Sequence, residues 1–151
     1  MPDAPINILL VEDDEMDIIL IEETLKRNGF EWQLNVVRDG VEAMGYLRGQ
    51  GSFAGAPRPS LVLLDLKMPR KDGREVLAEI RAHAALQSIP VIVLTSSDDP
   101  DDVVQAYRLG ANSYIRKPLD LDSFKGLMKT IDNFWFKTAT LPSKTNEVRK
   151  L

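Results

Sequence analysis

Short apolar runs of strand length alternate with longer amphipathic segments along the chain, and the alternation occurs five times. Residues 6–11, 61–66 and 91–94 are largely apolar, which is typical of strands buried on both faces of a parallel sheet. Apolar and polar residues alternate over 32–36, which predicts a half-buried edge strand, and 113–116 predict a short fifth strand. The pattern therefore predicts a parallel sheet covered by helices.

Helices are predicted between and after these strands, at about residues 15–28, 41–47, 73–82, 100–109 and 120–137. Asp14 is predicted to cap the first helix and Gly29 to end it. The last helix has one apolar stripe, formed by Phe124, Leu127, Met128, Ile131 and Trp135. This alternation predicts an α/β fold with a doubly wound parallel sheet of five strands. In the open order 2-1-3-4-5, which we expect here, the first and third strands are neighbours.

The chain has 151 residues, which predicts one domain at roughly 100–200 residues per domain. We place this domain at residues 1–137 and a polar C-terminal tail at 138–151. Residues 49–60 are rich in glycine and proline and form a long connection for an α/β protein, so we expect a surface insertion there.

Charge and composition argue against several classes of protein. Nineteen basic and 23 acidic residues give a net charge of −4, which argues against nucleic acid as a direct partner. The lack of cysteine excludes disulfides, thiolate catalysis and cysteine metal sites. No apolar run approaches the ~18 residues that span a membrane, and residues 1–5 have no signal-peptide layout, so we expect a cytoplasmic protein.

Five polar residues lie where four of the predicted strands end. Glu12 and Asp13 follow the first strand, and Asp65, Thr95 and Lys117 lie at the ends of the third, fourth and fifth strands. Because the carboxyl ends of parallel strands lie along one edge of a sheet, we expect these side chains to converge. Three carboxylates, a hydroxyl and an ammonium at one point indicate a divalent metal and a phosphoryl group.

The predicted metal is Mg²⁺, a hard cation that prefers oxygen ligands. The carboxylates of Glu12, Asp13 and Asp65 would repel one another, and either a divalent cation or protonation would relieve that repulsion. A carboxylate can also act as a nucleophile and form an aspartyl phosphate. Such transfer depends on neutralising charge on the phosphoryl oxygens, for which Lys117 offers a charge and Thr95 a hydroxyl.

Short sequences around these positions resemble the receiver domain of response regulators in two-component signalling. They are Ile-Leu-Leu-Val-Glu-Asp-Asp at 8–14, Leu-Leu-Asp-Leu-Lys-Met-Pro-Arg-Lys-Asp-Gly at 63–73, Val-Leu-Thr-Ser at 93–96 and Ser-Tyr-Ile-Arg-Lys-Pro at 113–118. Thr95 and Lys117 follow Asp65 by 30 and 52 residues, as they do in that family. The resemblance covers about 6–137 and implies the flavodoxin-like (βα)5 receiver fold.

The resemblance also implies a role for each matching residue. Asp65 would accept the phosphoryl group from a histidine kinase. Glu12, Asp13, Asp65 and the backbone carbonyl of Lys67 would hold Mg²⁺. The protein would then act as a phosphoacceptor switch rather than as an enzyme on external substrates.

Four further positions are implied by the resemblance on the phosphoryl side of the site. Thr95 and Lys117 would contact the phosphoryl group, and Tyr114 would turn inward when Thr95 moves. The family also implies a cis bond between Lys117 and Pro118, which an X–Pro amide tolerates at about 0.5–1 kcal/mol.

Two positions beside the site vary within the family. Lys67 lies two residues after Asp65, and Ser97 lies two residues after Thr95. Side chains there would stand near the path of an attacking water, so we expect them to tune the lifetime of the aspartyl phosphate. The alternative for Lys67 is an ordinary solvated lysine.

The predicted output surface consists of the fourth helix, the fifth strand and the fifth helix, through which receivers often dimerise. The aromatic run Asn133-Phe-Trp-Phe136 cannot be buried on one helical stripe, so at least one ring is expected to meet a partner or the tail; packing within the monomer is the alternative. This C-terminus and the loop at 49–60 resemble the single-domain regulators that pair with phytochrome histidine kinases. A homodimer is the expected state.

Other functions fit the sequence less well. A phosphatase of the haloacid-dehalogenase type would need a second acid where this chain has Lys67, and a flavodoxin-like cofactor carrier would not place Glu12 and Asp13 beside a phosphate. A P-loop enzyme is excluded because the Gly-x-x-x-x-Gly-Lys-Ser/Thr run is absent. Within the receiver family, a phosphate shuttle in a phosphorelay is the alternative to a binding switch.

Overall fold

The structure is a computed structural model and describes residues 6–27 and 32–142. Five strands form one sheet: β1 Ile6–Val11, β2 Trp32–Val37, β3 Leu61–Leu64, β4 Val91–Thr95 and β5 Ser113–Arg116. The strand order is β2-β1-β3-β4-β5, and every neighbouring pair is parallel. The predicted doubly wound sheet is therefore confirmed, with β1 and β3 adjacent at the point where the strand order reverses.

Five helices connect and cover the strands: α1 Glu15–Arg27, α2 Gly40–Arg48, α3 Gly73–Ala82, α4 Pro100–Arg108 and α5 Leu121–Ile131. At the N-terminus of each of the last four helices, an aspartate side chain accepts a hydrogen bond from a backbone N–H; these residues are Asp39, Asp72, Asp99 and Asp120. Asp14 does the same for α1, as predicted, through Met16 and Asp17. The predicted stop at Gly29 lies outside the described residues. None of the helices in the described ranges is both long and apolar enough to cross a membrane.

Alternate residues of the strands build an apolar core on each face of the sheet. Leu9 and Val11 lie in one cluster with side chains from α2, α3 and α4. Ile8 and Leu10 lie in the other cluster with side chains from α1 and α5. All four residues of β3 are fully buried, as the continuous apolar run predicted, because helices cover both of its faces.

The C-terminal helix differs from its prediction. The α-helix ends at Ile131, and Asp132–Thr138 form a π-helical segment. A π-helix repeats at a spacing of i to i+5, so Phe136 rather than Trp135 follows Ile131 into the core. Phe136 is buried, Trp135 is half-buried and Phe134 is 52% exposed. All five residues of the predicted stripe lie in this apolar cluster or pack against it, and Phe136, which the stripe did not include, is buried with them.

The packed chain extends past residue 137. Leu141 is 2% exposed and belongs to the same apolar cluster as Phe136. Phe136 is therefore buried within the monomer, which was the predicted alternative to contact with a partner. The remainder of the predicted tail, 143–151, lies outside the described residues.

The insertion at 49–60 folds back onto α2. It contains one short 3₁₀ turn, Gly51–Phe53. The ring of Phe53 lies edge-on to that of Tyr46, with centroids 5.6 Å apart, and the Tyr46 hydroxyl donates a hydrogen bond to the carbonyl of Pro57 at 2.9 Å. These contacts fix the connection between α2 and β3.

Candidate functional site

The carboxyl ends of the strands bring the predicted polar residues to one edge of the sheet. The backbone N–H of Asp65 bonds the carbonyl of Val11 at 3.0 Å, which places the end of β3 beside the end of β1. The first residue of α3, Gly73, packs directly on this strand end. A Cβ added there would lie 2.3 Å from the carbonyl oxygen of Asp65, so only glycine fits this close approach.

Lys117 is the centre of the charge network at this edge. Its ammonium donates to Glu12 Oε2 at 2.7 Å, to Asp17 Oδ2 at 2.8 Å and to Asp65 Oδ2 at 3.1 Å. Burial lowers the pKa of Lys117, but the hydrogen bond to Asp17 and the charges of Asp65 and Glu12 outweigh it, so the pKa is raised overall. Lys117 therefore stays charged at neutral pH.

Three carboxylates lie together beside this lysine. One oxygen from each of Glu12, Asp13 and Asp65 can be chosen so that all three lie within 4.8 Å of one another. Burial, followed by the charge of Asp65, raises the pKa of Glu12 to about 8, although Lys117 opposes this. The negative charge is therefore only partly compensated, and the oxygen donors are of the type that hard divalent cations prefer. The residues fit a divalent cation.

Lys67 lies at the mouth of the cluster. Its backbone N–H donates to Asp65 Oδ1 at 3.3 Å, and its side chain is exposed. This contact places the Lys67 backbone beside the acidic cluster. The assignment of its carbonyl as a metal ligand stays a prediction.

Thr95 and Ser97 differ in how their hydroxyls are satisfied. Thr95 is fully buried, and its Oγ1 has no hydrogen-bond partner among the described residues. The backbone carbonyl of Thr95 accepts a bond from the Lys117 N–H at 2.7 Å, so the two residues are neighbours across β4 and β5. The hydroxyl of Ser97 instead donates to Asp102 Oδ2 at 2.5 Å. Thr95 thus keeps an unpartnered buried hydroxyl on the strand next to Lys117.

Tyr114 connects β5 to the loop after β4. Its hydroxyl donates to the backbone carbonyl of Ser97 at 2.8 Å, and its ring packs against the core on the side of α4. Burial raises the pKa of the Tyr114 hydroxyl, and the nearby charges of Asp102 and Asp99 add to this effect. The Tyr114 side chain is therefore tied to the segment that carries Thr95.

The peptide bond before Pro118 corrects one expectation. No cis peptide bond occurs among the described residues, so Lys117–Pro118 is trans and the prediction of a cis bond is wrong. The physical reason is the ordinary preference of an X–Pro amide for trans, which is worth about 0.5–1 kcal/mol.

Two polar contacts beside the site were not predicted. Asp17, in the first turn of α1, accepts a hydrogen bond from the Lys117 ammonium. Asp39 accepts two hydrogen bonds from the Arg70 guanidinium, at 2.9 and 2.6 Å, which joins the start of α2 to the loop after β3. No local pattern in the sequence pairs Asp17 with Lys117 or Asp39 with Arg70.

The fold and the site together define the class of this protein. Residues 8–129 match the response regulator receiver domain family, so the chain belongs to that family. This confirms the predicted resemblance and the flavodoxin-like receiver fold.

Particular relatives are similar over nine tenths of the chain. Response regulator Rcp1 of Synechocystis sp. is 46% identical over 136 residues, which are 90% of this chain and 92% of that protein. The crystal structure of the phosphorylated cyanobacterial phytochrome response regulator RcpA is 49% identical with a TM-score of 0.89, covering 92% of this chain and 99% of that one. The Mn²⁺-bound form of Rcp1 also gives a TM-score of 0.89, at 46% identity, covering 91% of this chain and 99% of that one.

Proposed function

We propose that Asp65 accepts a phosphoryl group from the phosphohistidine of a histidine kinase. The observation that carries this proposal is the contact of Asp65 with Lys117 at 3.1 Å, within reach of Glu12 and Asp13. An oxygen of Asp65 forms a bond to phosphorus while the bond from phosphorus to the histidine nitrogen breaks, and the imidazole leaves. Asp65 becomes an acyl phosphate, and no redox partner is needed.

The residues of this chain position and neutralise the transferring group. Lys117 places its charge against the phosphoryl oxygens, and the hydroxyl of Thr95 gains the acceptor that it lacks. Glu12, Asp13, Asp65 and the Lys67 carbonyl would hold Mg²⁺, which supplies further charge neutralisation when bound. Transfer is directed only to Asp65, and water later removes the phosphoryl group.

Phosphorylation then shifts a two-state equilibrium. Movement of Thr95 toward the phosphoryl group would pull on the loop that carries Ser97, and that loop is bonded to Tyr114 of β5 through the Ser97 carbonyl. The shift is read out on the α4-β5-α5 surface. Moving such an equilibrium from 1:99 to 99:1 requires about 5.5 kcal/mol of differential stabilisation.

The proposed kinase partner is a phytochrome. RcpA is described as a phytochrome response regulator, and its similarity to this chain supports the same pairing here. Neither nucleic acid nor a membrane is a proposed partner, in keeping with the net charge of −4. A location in the cytoplasm follows from this proposal, since the histidine kinase domain must meet Asp65 directly.

A phosphodonor experiment tests the proposal. Wild type and Asp65→Asn are incubated with acetyl phosphate and Mg²⁺, and intact mass is measured. We expect wild type to gain one phosphoryl group and the variant to gain none. A wild-type chain that stays unmodified, or a variant labelled equally well, would overturn the assignment of Asp65.

The lifetime of the aspartyl phosphate is predicted to depend on Lys67, because its exposed side chain would stand near the path of a water that attacks Asp65. Loss of phosphate from wild type is compared with loss from Lys67→Ala. Lys129→Ala, on the exposed surface of α5, is the matched control. Equal rates in all three proteins would show that Lys67 is only a solvated lysine.

The α4-β5-α5 surface is also the proposed homodimer interface. Val104 and Tyr107 on α4 and Leu121 on α5 are each about half exposed, at 48%, 50% and 49%. Exposed apolar side chains of this kind mark protein interfaces when they are contiguous. We expect a dimer by light scattering with beryllofluoride, lost in Val104→Asp and kept in Val41→Asp on α2, which is 46% exposed in wild type. A wild-type monomer under all conditions would contradict this interface.

A further inference from the structure

Asp17 contributes one of the three carboxylates that bind the Lys117 ammonium, yet it does not belong to the acidic cluster. The cluster consists of Glu12, Asp13 and Asp65. Asp17 comes from α1 and reaches Lys117 at 2.8 Å, compared with 2.7 Å for Glu12 and 3.1 Å for Asp65. A lysine ammonium has three donors, so these three acceptors account for all of them.

The other two partners of Lys117, Glu12 and Asp65, would also bind the divalent cation. Glu12 and Asp65 belong to the set that fits a divalent cation, and a cation shared between them weakens their hold on the lysine. Asp65 also loses its negative charge when it becomes an acyl phosphate. Asp17 is outside the acidic cluster and is not phosphorylated, so it continues to attract Lys117 when the cation binds and when Asp65 is phosphorylated.

Asp17 is held firmly enough to act in this way. Its backbone N–H donates to the capping oxygen of Asp14 at 3.2 Å, and the next residue, Ile18, is buried against the sheet. The Asp17 side chain is 22% exposed and that of Lys117 is 8% exposed, so water screens the pair only in part. The contact joins α1 to β5 at the edge of the site.

We propose that Asp17 is a positioning residue that keeps the Lys117 ammonium over Asp65 when Glu12 and Asp65 are engaged elsewhere. This inference rests on the proposed function and names a further residue for the same site. Without Asp17, only Glu12 and Asp65 hold the ammonium, so it competes with the cation for these two carboxylates. When Glu12 binds the cation and Asp65 is phosphorylated, no carboxylate is left to hold the ammonium in position.

The test compares Asp17→Asn with wild type in two measurements. One is the affinity for Mn²⁺ measured by electron paramagnetic resonance, and the other is the rate at which acetyl phosphate labels Asp65. We expect both to fall by roughly tenfold, the lower end of the losses seen when an outer partner of a metal site is removed. Glu15→Gln removes the same charge from the same helical turn, where Glu15 pairs with Arg38 instead, and is expected to match wild type.

Two further variants separate positioning from a merely structural role. Asp17→Glu restores the carboxylate and is expected to recover most of the labelling rate. In a Lys117→Ala background, Asp17→Asn is expected to cause no further loss, because Asp17 acts through that lysine. Asp17→Ser gives the same comparisons if the asparagine variant does not fold.

The outcomes distinguish this inference from the proposed function. If wild type is labelled on Asp65 and Asp17→Asn is labelled at the same rate, only the role of Asp17 is overturned. An additive loss in the Lys117→Ala background, or an equal loss in Glu15→Gln, overturns it as well. If wild type is not labelled at all, the proposed function itself fails.

Discussion

The charge of Glu12 depends on its surroundings more than that of an exposed carboxylate does. It is 1% exposed and lies beside Asp65, and its oxygens accept bonds from Lys117 and from the backbone N–H of Asp14. Burial, and then the charge of Asp65, raise its pKa from 4.5 to about 8. A carboxyl group in this position takes up a proton at neutral pH unless a cation compensates its charge.

This raised pKa predicts how stability depends on pH. Because the folded-state pKa of Glu12 lies above its ordinary value, its contribution to stability is complete below about pH 4.5 and is lost as pH rises through about 8. In metal-free buffer, the free energy of unfolding of wild type should therefore fall relative to that of Glu12→Gln across this window. Urea unfolding at a series of pH values measures the difference.

Divalent cation provides the control for the Glu12 prediction. Mg²⁺ binds the ionised carboxylate of the folded state, so adding it above pH 8 should recover the stability of wild type more than that of Glu12→Gln. Parallel pH profiles for the two proteins, without or with the cation, would contradict a raised pKa at Glu12.

The π-helical segment Asp132–Thr138 determines which aromatic ring of the C-terminal segment is buried. Phe136 is 4% exposed within the cluster of α1 and α5, while Phe134 is 52% exposed. Phe136→Ala is expected to destabilise the fold by about 3–5 kcal/mol, the usual range for removing a buried phenylalanine. Phe134→Ala, two residues away, should change the free energy of unfolding by no more than about 0.5 kcal/mol.

Chemical denaturation of the two variants measures this contrast. Because both substitutions remove the same ring from the same segment, helix propensity cancels between them. Equal effects would mean that the segment continues as an α-helix, with the phase that the sequence predicted. A large effect at Phe134 alone would place that ring in an interface.

The elements that sequence could predict are those fixed by a repeating apolar pattern. β1 matches its predicted bounds because a largely apolar run marks a strand buried on both faces, and the partly buried β5 also matches. The change from α-helix to π-helix at Asp132 carries no such pattern, since it depends on how the following residues pack. The pairing of Asp39 with Arg70 was missed for a similar reason: those residues are 31 positions apart and meet only in the fold.

The candidate site was predicted to the extent that it lies on strand ends. Glu12, Asp65 and Lys117 meet because the sheet is parallel and β1 lies between β2 and β3. Asp17 was missed because it belongs to a helix, where position along the chain does not reveal which strand end it faces.

A continuous set of contacts connects β5 and the loop after β4 to α4 and α3. Tyr114 bonds the backbone of Ser97, the Ser97 hydroxyl bonds Asp102, and Asp102 pairs with Arg74 of α3 at 3.4 Å. Thr95 lies two residues before Ser97 on the same strand end. Under the proposed function, a shift of Thr95 toward a phosphoryl group would therefore be transmitted to α4, which contacts α3 and β5.

We expect the Thr95 hydroxyl to lower the stability of the resting state and to be required for switching. Its buried hydroxyl has no hydrogen-bond partner among the described residues, and an unsatisfied buried group of this kind costs about 1–3 kcal/mol. Thr95→Val keeps the branched shape and removes that group, so the free energy of unfolding should stay equal or rise by up to that amount.

The same variant should lose most of the change in light scattering that beryllofluoride causes, because it has no hydroxyl to donate a hydrogen bond to the phosphoryl mimic. Thr95→Ser, which keeps the hydroxyl, is expected to switch. A destabilised valine variant would show that the hydroxyl is satisfied in the resting state, and a valine variant that switches like wild type would remove Thr95 from the path between Asp65 and α4.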